Sequence, residues 1–282
     1  MMSDLLNITS WLYTKIYQND LFFFDLWSLV HFWNGFMLFF LLSSTRNKNP
    51  FKTILAILFI YEIIEILVIY FSLGIVKPET FKDQFTDIVV GMVGSFAGYY
   101  LLSKFSLHNP VKAKRLKFII MIFTGLTYSF LWVGFYGYHY NVSFFNSPGI
   151  NWYAGTLWFF ASVIIIYSYE HIPIWHRFIR LVFVWVSYIL VLFFMEAIGY
   201  YWFDLREVSN PDAVPLIFGI IHGTPVMHVV YIFAPLLILS LHFLLDSIIL
   251  KPFQQQKQFS VFLSAGIIHL TQFLRKRILT NK

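Results

Sequence analysis

Nine ionisable residues of this 282-residue chain lie within or at the edge of apolar runs: Asp25, His31, Glu62, Glu65, Asp83, Asp87, Glu196, His222 and His228. Carboxylates and imidazoles are the donors that hard and borderline divalent cations take, and zinc accepts all three residue types in tetrahedral sites. A metal held by such a set lowers the pKa of a bound water. The same side chains can act as general acid or base, or pass protons and bind a coupling ion in a transporter. Cysteine is absent, so disulfides, thiolate sites and cysteine nucleophiles are excluded.

Their spacing assigns them to faces. Glu62 and Glu65 are three apart and share one helical face. His31 precedes Asn34 and Gly35 by about one turn. In "FKDQFTDIVVGMVGSFAG", Asp83, Asp87, Gly91, Gly94 and Gly98 fall within a sector of roughly 80° at about 100° per residue. The glycines admit a neighbouring helix at close range and carry the two acids to it. Asp83 also fits a helix N-cap, which leaves Asp87, a turn deeper, as the stronger functional candidate. Glu196 is set among large apolar side chains in "LFFMEAIGYYWF". His222 and His228, in "IHGTPVMH", are six apart and share no helical face, so joint metal ligation requires His222 on the loop before Thr224 and Pro225. The metal candidates are thus His31, Glu62, Asp83, Asp87, His222 and His228, and the catalytic candidates Glu62, Glu65, Asp87 and Glu196. Structural alternatives stand beside them: a core histidine bonded to a carbonyl or to Asn34, a hydrogen-bonded glutamate pair, and for His242 and Asp246 a polar contact near Lys251.

The elements that must position these residues are membrane helices. The chain is 59% hydrophobic and only 12% charged, with mean hydropathy +0.69. A soluble domain carries about twice that share of charge, so the surplus apolar surface faces lipid. Apolar runs and their polar or Pro/Gly-rich breaks predict seven spans, at 21–42, 53–74, 83–103, 118–138, 151–169, 178–203 and 225–249. Amphipathic segments at 1–19 and 259–282 are expected to lie in the interface. The fold class expected is an all-α bundle: one transmembrane domain over 1–250, then a C-terminal segment, 251–282. Of the 20 Lys and Arg residues, 16 fall on one set of loops and the C-terminal tail, against Lys15, Lys77, Lys82 and Arg206 on the other. Cations favour the cytoplasmic side, so the N-terminus is expected outside, the C-terminus inside, in an inner (plasma) membrane. The net charge of +6 then meets anionic lipid and implies no nucleic-acid partner. "NIT" at Asn7 and "NVS" at Asn141 match the glycosylation triplet, which arises easily by chance.

With this topology all nine ionisable residues lie in the outer half of the membrane, which predicts one wet pocket open to the extracytoplasmic face. The order of motifs over residues 25–102 resembles the VanZ-like proteins and, more closely, the YjdF-type inner-membrane proteins. The shared order is His31-Phe32 with Gly35, then Tyr61-Glu62-x-x-Glu65, then Asp83-Gln84-x-x-Asp87 before Gly91 and Gly94. The spacing between Asp25 and His31, and Ile66 after the second glutamate, depart from those patterns. The resemblance covers the first third (20–103), leaves 118–250 unassigned, and implies a cell-envelope role without a reaction. The expected function is a membrane-embedded enzyme, with a divalent metal as candidate cofactor, acting on a lipid or lipid-linked substrate. A proton- or cation-coupled transporter and a non-catalytic envelope assembly factor are the alternatives.

Overall fold

The computed structural model describes residues 10–45, 47, 49–70, 80–105, 109–174, 176–209, 214–215 and 217–280; the side chains of 68–70, 214–215 and 254–280 lie outside that description. Seven helices dominate: α1 (Leu26–Ser44), α2 (Pro50–Tyr70), α3 (Phe81–Lys104), α4 (Pro110–Tyr136), α5 (Trp152–His171), α6 (Arg177–Phe203) and α7 (Pro225–Thr280). Two small hairpins accompany them. β1 (Lys15–Gln18) pairs antiparallel with β2 (Phe23–Asp25), and β3 (Val214–Pro215) with β4 (His222–Gly223).

Six helices are long and apolar enough to cross a membrane: α1, α3, α4, α5, α6 and the Pro225–Phe253 part of α7. The chain is therefore read as a multi-pass membrane protein. The exception is α2, whose described side chains include Lys52, Glu62 and Glu65. Its apolar side chains nevertheless point outwards: Phe59, Ile60, Ile63, Ile64 and Leu67 are exposed while both glutamates are buried. That inversion of the soluble pattern is the one expected of a helix facing lipid around a polar interior. Helix α6 is apolar all round, and Val184 is its one buried residue among those described.

Local chemistry sets the helix ends. Asp25 caps α1 rather than lying inside it, as the run 21–42 implied: its carboxylate accepts from the Ser28 amide at 2.9 Å, and the Ser28 hydroxyl accepts from the Asp25 amide at 3.4 Å. This capping box closes two amides at once. Helix α3 is capped by Thr80, whose hydroxyl accepts from the Asp83 amide at 3.3 Å, so the capping role read for Asp83 passes to Thr80. Asn109 caps α4 ahead of Pro110 at the first position, and Gly137 ends it in the left-handed region at φ 71°.

Two expectations at the chain ends need correction. Within 1–19, the described residues form a 3-10 turn (Ser10–Tyr13) and strand β1, with Leu12 buried, rather than an amphipathic helix; Leu5, Leu6 and Asn7 lie outside the described residues. The break read in "KPFQQQKQ" is absent too, for α7 runs unbroken through Pro235 and Pro252. Glutamine and lysine are good helix formers, so polarity alone does not stop a helix. Proline costs one backbone bond, which membrane helices tolerate. The basic tail side chains, and the loop 71–79 with Lys77, lie outside the described residues.

The tightest packing joins α1 and α3. A Cβ on Gly35 would overlap the Gly91 carbonyl oxygen, one on Gly94 would overlap that of Phe32, and one on Gly98 would press on Phe36 and Phe39. On the α3 side Gly91 meets His31, Gly94 meets Phe32 and Gly98 meets Phe36 and Phe39, so α1 and α3 run parallel with their backbones touching. Two apolar cores flank the seam. One gathers Phe36, Phe39 and Phe40 of α1 with Ile54 and Leu58 of α2, Leu116 and Ile120 of α4, and Ile249 of α7. The other fills the space among α4, α5 and α7 around Tyr128, Trp158, Tyr231 and Ile238.

Candidate functional site

The α1–α3 seam brings His31 and Asp87 together, and α2 adds Glu62. The imidazole Nδ1 lies 3.8 Å from Glu62 Oε1, and Nε2 lies 3.5 Å from Asp87 Oδ2. One donor atom from each residue falls within 4.8 Å of the other two. All three are buried, Asp87 completely. The ring of His31 meets the edges of Trp27 and Tyr61 at centroid distances of 5.8 and 5.5 Å, which fix its plane.

Around this triad stand further buried acids. Glu65 and Asp83 lie within electrostatic reach of Glu62, and Asp25 and Asp83 within reach of Asp87. Burial pushes the Asp25 carboxyl up from its ordinary range, against the pull of the amides it caps. The nearest lysine is committed elsewhere: Lys82 donates to the Asn19 carbonyl at 2.8 Å. Thr86, between the two aspartates, accepts from the Phe23 amide at 3.0 Å and so ties the β1–β2 hairpin over this end of the seam.

What distinguishes the site is its unsatisfied polar atoms. Among the described residues, neither nitrogen of His31 and no side-chain oxygen of Glu62, Glu65 or Asp87 completes a hydrogen bond. The Ser28 hydroxyl donates to Asp25 at 3.3 Å and lies beside Asp87 without completing a bond to it. Each buried polar group without a partner costs about 1–3 kcal/mol, and folded proteins satisfy the large majority of them. Among the described residues no basic side chain joins these five carboxylates and the imidazole, a set whose charge calls for a bound cation or protons. The two short approaches use opposite nitrogens of His31. Donors on a tetrahedral ion sit about 3.4 Å apart, so the three side chains would have to draw together from their 4.8 Å spread to hold one ion. His31, Glu62 and Asp87 would supply three ligands and leave a fourth position open.

The remaining candidates lie elsewhere, so the single pocket expected from the sequence divides into two regions. Glu196 and His222 line a cavity of about 250 Å³ at the ends of α5, α6 and α7, together with Tyr140, Tyr153, Glu207 and Tyr231. His228 lines neither. Its Nδ1 lies 2.7 Å from the Thr224 carbonyl and its Nε2 3.1 Å from that of Ile221, so no nitrogen is left to bind a metal. His242 sits towards the other end of α7, 3.3 Å from Glu170 and 3.2 Å from Thr124, a structural contact with partners other than Lys251. Asn141 spends its side chain on the Asp204 carbonyl and the Arg206 amide, both at 2.7 Å, which weighs against a glycan there.

The sequence reading passed over Glu207. It lies in a loop, where a glutamate is unremarkable, yet it is buried and accepts from the Tyr136 hydroxyl at 2.9 Å and from the amide and hydroxyl of Ser209. An acid in a Pro-rich loop carries no signal of such burial; the pairing of Tyr140 with Glu207 across two loops creates it. Compared with known proteins, the chain matches no family model, no curated protein and no solved structure.

Proposed function

We propose that this chain is a membrane-embedded, metal-dependent enzyme whose site is formed by His31, Glu62 and Asp87, with Glu65 and Asp83 behind them. The observation that carries the reading is the convergence of three donors from three helices with no hydrogen-bond partners of their own. In the proposed topology α2 is a seventh span, the N-terminus faces out and the site opens to the extracytoplasmic side. The cation asymmetry of the loops supports that orientation. The resemblance of residues 25–102 to VanZ-like and YjdF-type proteins suggests a lipid or lipid-linked envelope substrate.

A metal bound there supplies a Lewis acid and a water of lowered pKa. The protein's own residues do the rest. Trp27 and Tyr61 hold the plane of His31, Glu65 is placed to take or return a proton beside Glu62, and the apolar exterior of α2 keeps the site next to lipid. Glu196 drops out of this reaction because it belongs to the other region.

Transport of a proton or cation through the same acids is the second reading, favoured by one observation: the site holds more carboxylates than three-point ligation uses. Against it, α1, α2 and α3 run as unbroken helices where transporter sites usually break them.

Elemental analysis of the purified protein separates the two. The enzyme reading expects about one equivalent of a divalent metal, lost in Glu62→Gln and Asp87→Asn variants that remain folded. Metal-free protein that moves protons or cations into vesicles would overturn it in favour of transport. The lipid substrate is tested by incubating protein in nanodiscs with envelope lipid extract and following products by mass spectrometry.

A further inference from the structure

The cavity at the ends of α5, α6 and α7 has a construction unlike that of the His31 site. Its walls mix aliphatic side chains with the rings of Tyr140, Phe145, Tyr153 and Tyr231, and two acids, Glu196 and Glu207, enter from different segments. Among the described residues no lysine or arginine lines it. The nearby Arg206 is committed to Asp204 at 2.7 Å and to the face of Tyr200 at 4.9 Å. His222 stacks on the other exposed part of that wall, parallel to Tyr200 at 5.0 Å. Burial and the Arg206 guanidinium push its imidazole below the ordinary range, so at neutral pH it adds no positive charge.

Three donors fix Glu207. Glu196 stands next to an aromatic cluster built around Tyr138 and Tyr231. Indole N–H groups can only donate, and those of Trp132 and Trp158 both donate to the Tyr138 oxygen at 2.9 Å. Tyr231 stands beside both Tyr138 and Glu196 and fills the wall between them.

Two carboxylates in an enclosure partly walled by rings present a negative potential and several π faces to whatever enters. A hard metal ion is a poor fit, because Glu207 already spends both oxygens on internal donors and most of the other walls are aromatic or aliphatic. Neutral apolar guests would leave the acids without a counter-charge. We propose that this cavity binds a small organic ammonium ion, held by charge attraction to Glu196 and Glu207 and by cation–π contact with the tyrosines. The ammonium can belong to a free amine or to a lipid headgroup.

Choline is a suitable probe, with 3,3-dimethylbutan-1-ol as its uncharged isostere, titrated calorimetrically into protein in phosphatidylglycerol nanodiscs. Choline is expected to bind and the alcohol to bind at least about tenfold more weakly, from the loss of charge and cation–π attraction. Glu196→Gln and, independently, Tyr153→Leu should each weaken choline by about tenfold, whereas Glu62→Gln should leave it unchanged and so separates this site from the other. Repeating the titration in phosphatidylcholine nanodiscs distinguishes the sources: weakened binding of free choline identifies the headgroup as occupant, unchanged binding a soluble amine. Equal binding of alcohol and choline, or full choline affinity in folded Tyr153→Leu protein, would overturn the proposal, whatever the metal analysis finds at His31.

Discussion

The two polar regions of this bundle solve the same problem in opposite ways. Around His31 of α1, the buried acids Glu62 and Glu65 of α2 and Asp87 of α3 meet, with their oxygens and the two ring nitrogens unsatisfied. In the other region Glu207 is met by tyrosine and serine donors, and the indole N–H groups of Trp132 and Trp158 by the Tyr138 hydroxyl. A polar group buried in a membrane protein needs a partner; the first region leaves that role to a ligand, whereas the second fills it from within. Removing an acid should therefore harm the second region and relieve the first, because taking one charge out of a crowded like-charged set lowers repulsion, while taking out a bonded acceptor strands its donors.

The largest expected effect lies in the frame that holds the first site. Gly35→Leu or Gly94→Leu inserts a side chain into a neighbouring backbone carbonyl and should separate α1 from α3. Loss of a monodisperse peak on size exclusion, with metal content falling alongside, is the expected result, and a stable, metal-replete variant would refute the seam as described. Tyr138→Phe comes next. It leaves the buried indole N–H groups of Trp132 and Trp158 without an acceptor, at about 1–3 kcal/mol each, and should lower the thermal midpoint measured by intrinsic fluorescence.

Glu207→Gln follows, with a loss of about 1–3 kcal/mol as its charge-assisted bonds to Tyr136 and Ser209 weaken. Glu62→Gln sharpens the comparison because its sign is reversed: stability of metal-free protein should hold or rise while metal binding is lost, as read by thermal unfolding with and without chelator. A large destabilisation there, matching that of Glu207→Gln, would show that the two regions do not differ. The smallest change is expected at Gly155, where a Cβ would meet nothing within 4 Å. Gly155→Ala should shift stability by no more than about 1 kcal/mol, towards greater stability from helix propensity.

The sequence carried the first region further than the second for a physical reason. Membrane insertion makes each intramembrane acid conspicuous against apolar neighbours, and helical periodicity assigns it a face. Hence Glu62, Asp87 and the glycine stripe could be read as facing inwards, and the acids do face inwards. Near helix ends that contrast disappears. Asp25 and Asp83 both lie at helix starts, where composition does not say which residue caps: Asp25 caps α1, but Thr80 rather than Asp83 takes that role in α3. Glu207 was hidden for the same reason, and His228 misled because spacing says nothing of the carbonyls that occupy its ring.

By itself the amino-acid sequence determined that this chain is helical and membrane-spanning, and that its acids must avoid lipid, since hydropathy and periodicity are local properties with a large energetic consequence. Which acids meet was decided only by tertiary structure. The α1–α3 glycine seam and the pairing of the loops around Tyr140 and Glu207 join residues far apart in the chain. Those contacts arise from backbone approach and hydrogen-bond closure between segments, and they divided one expected pocket into two.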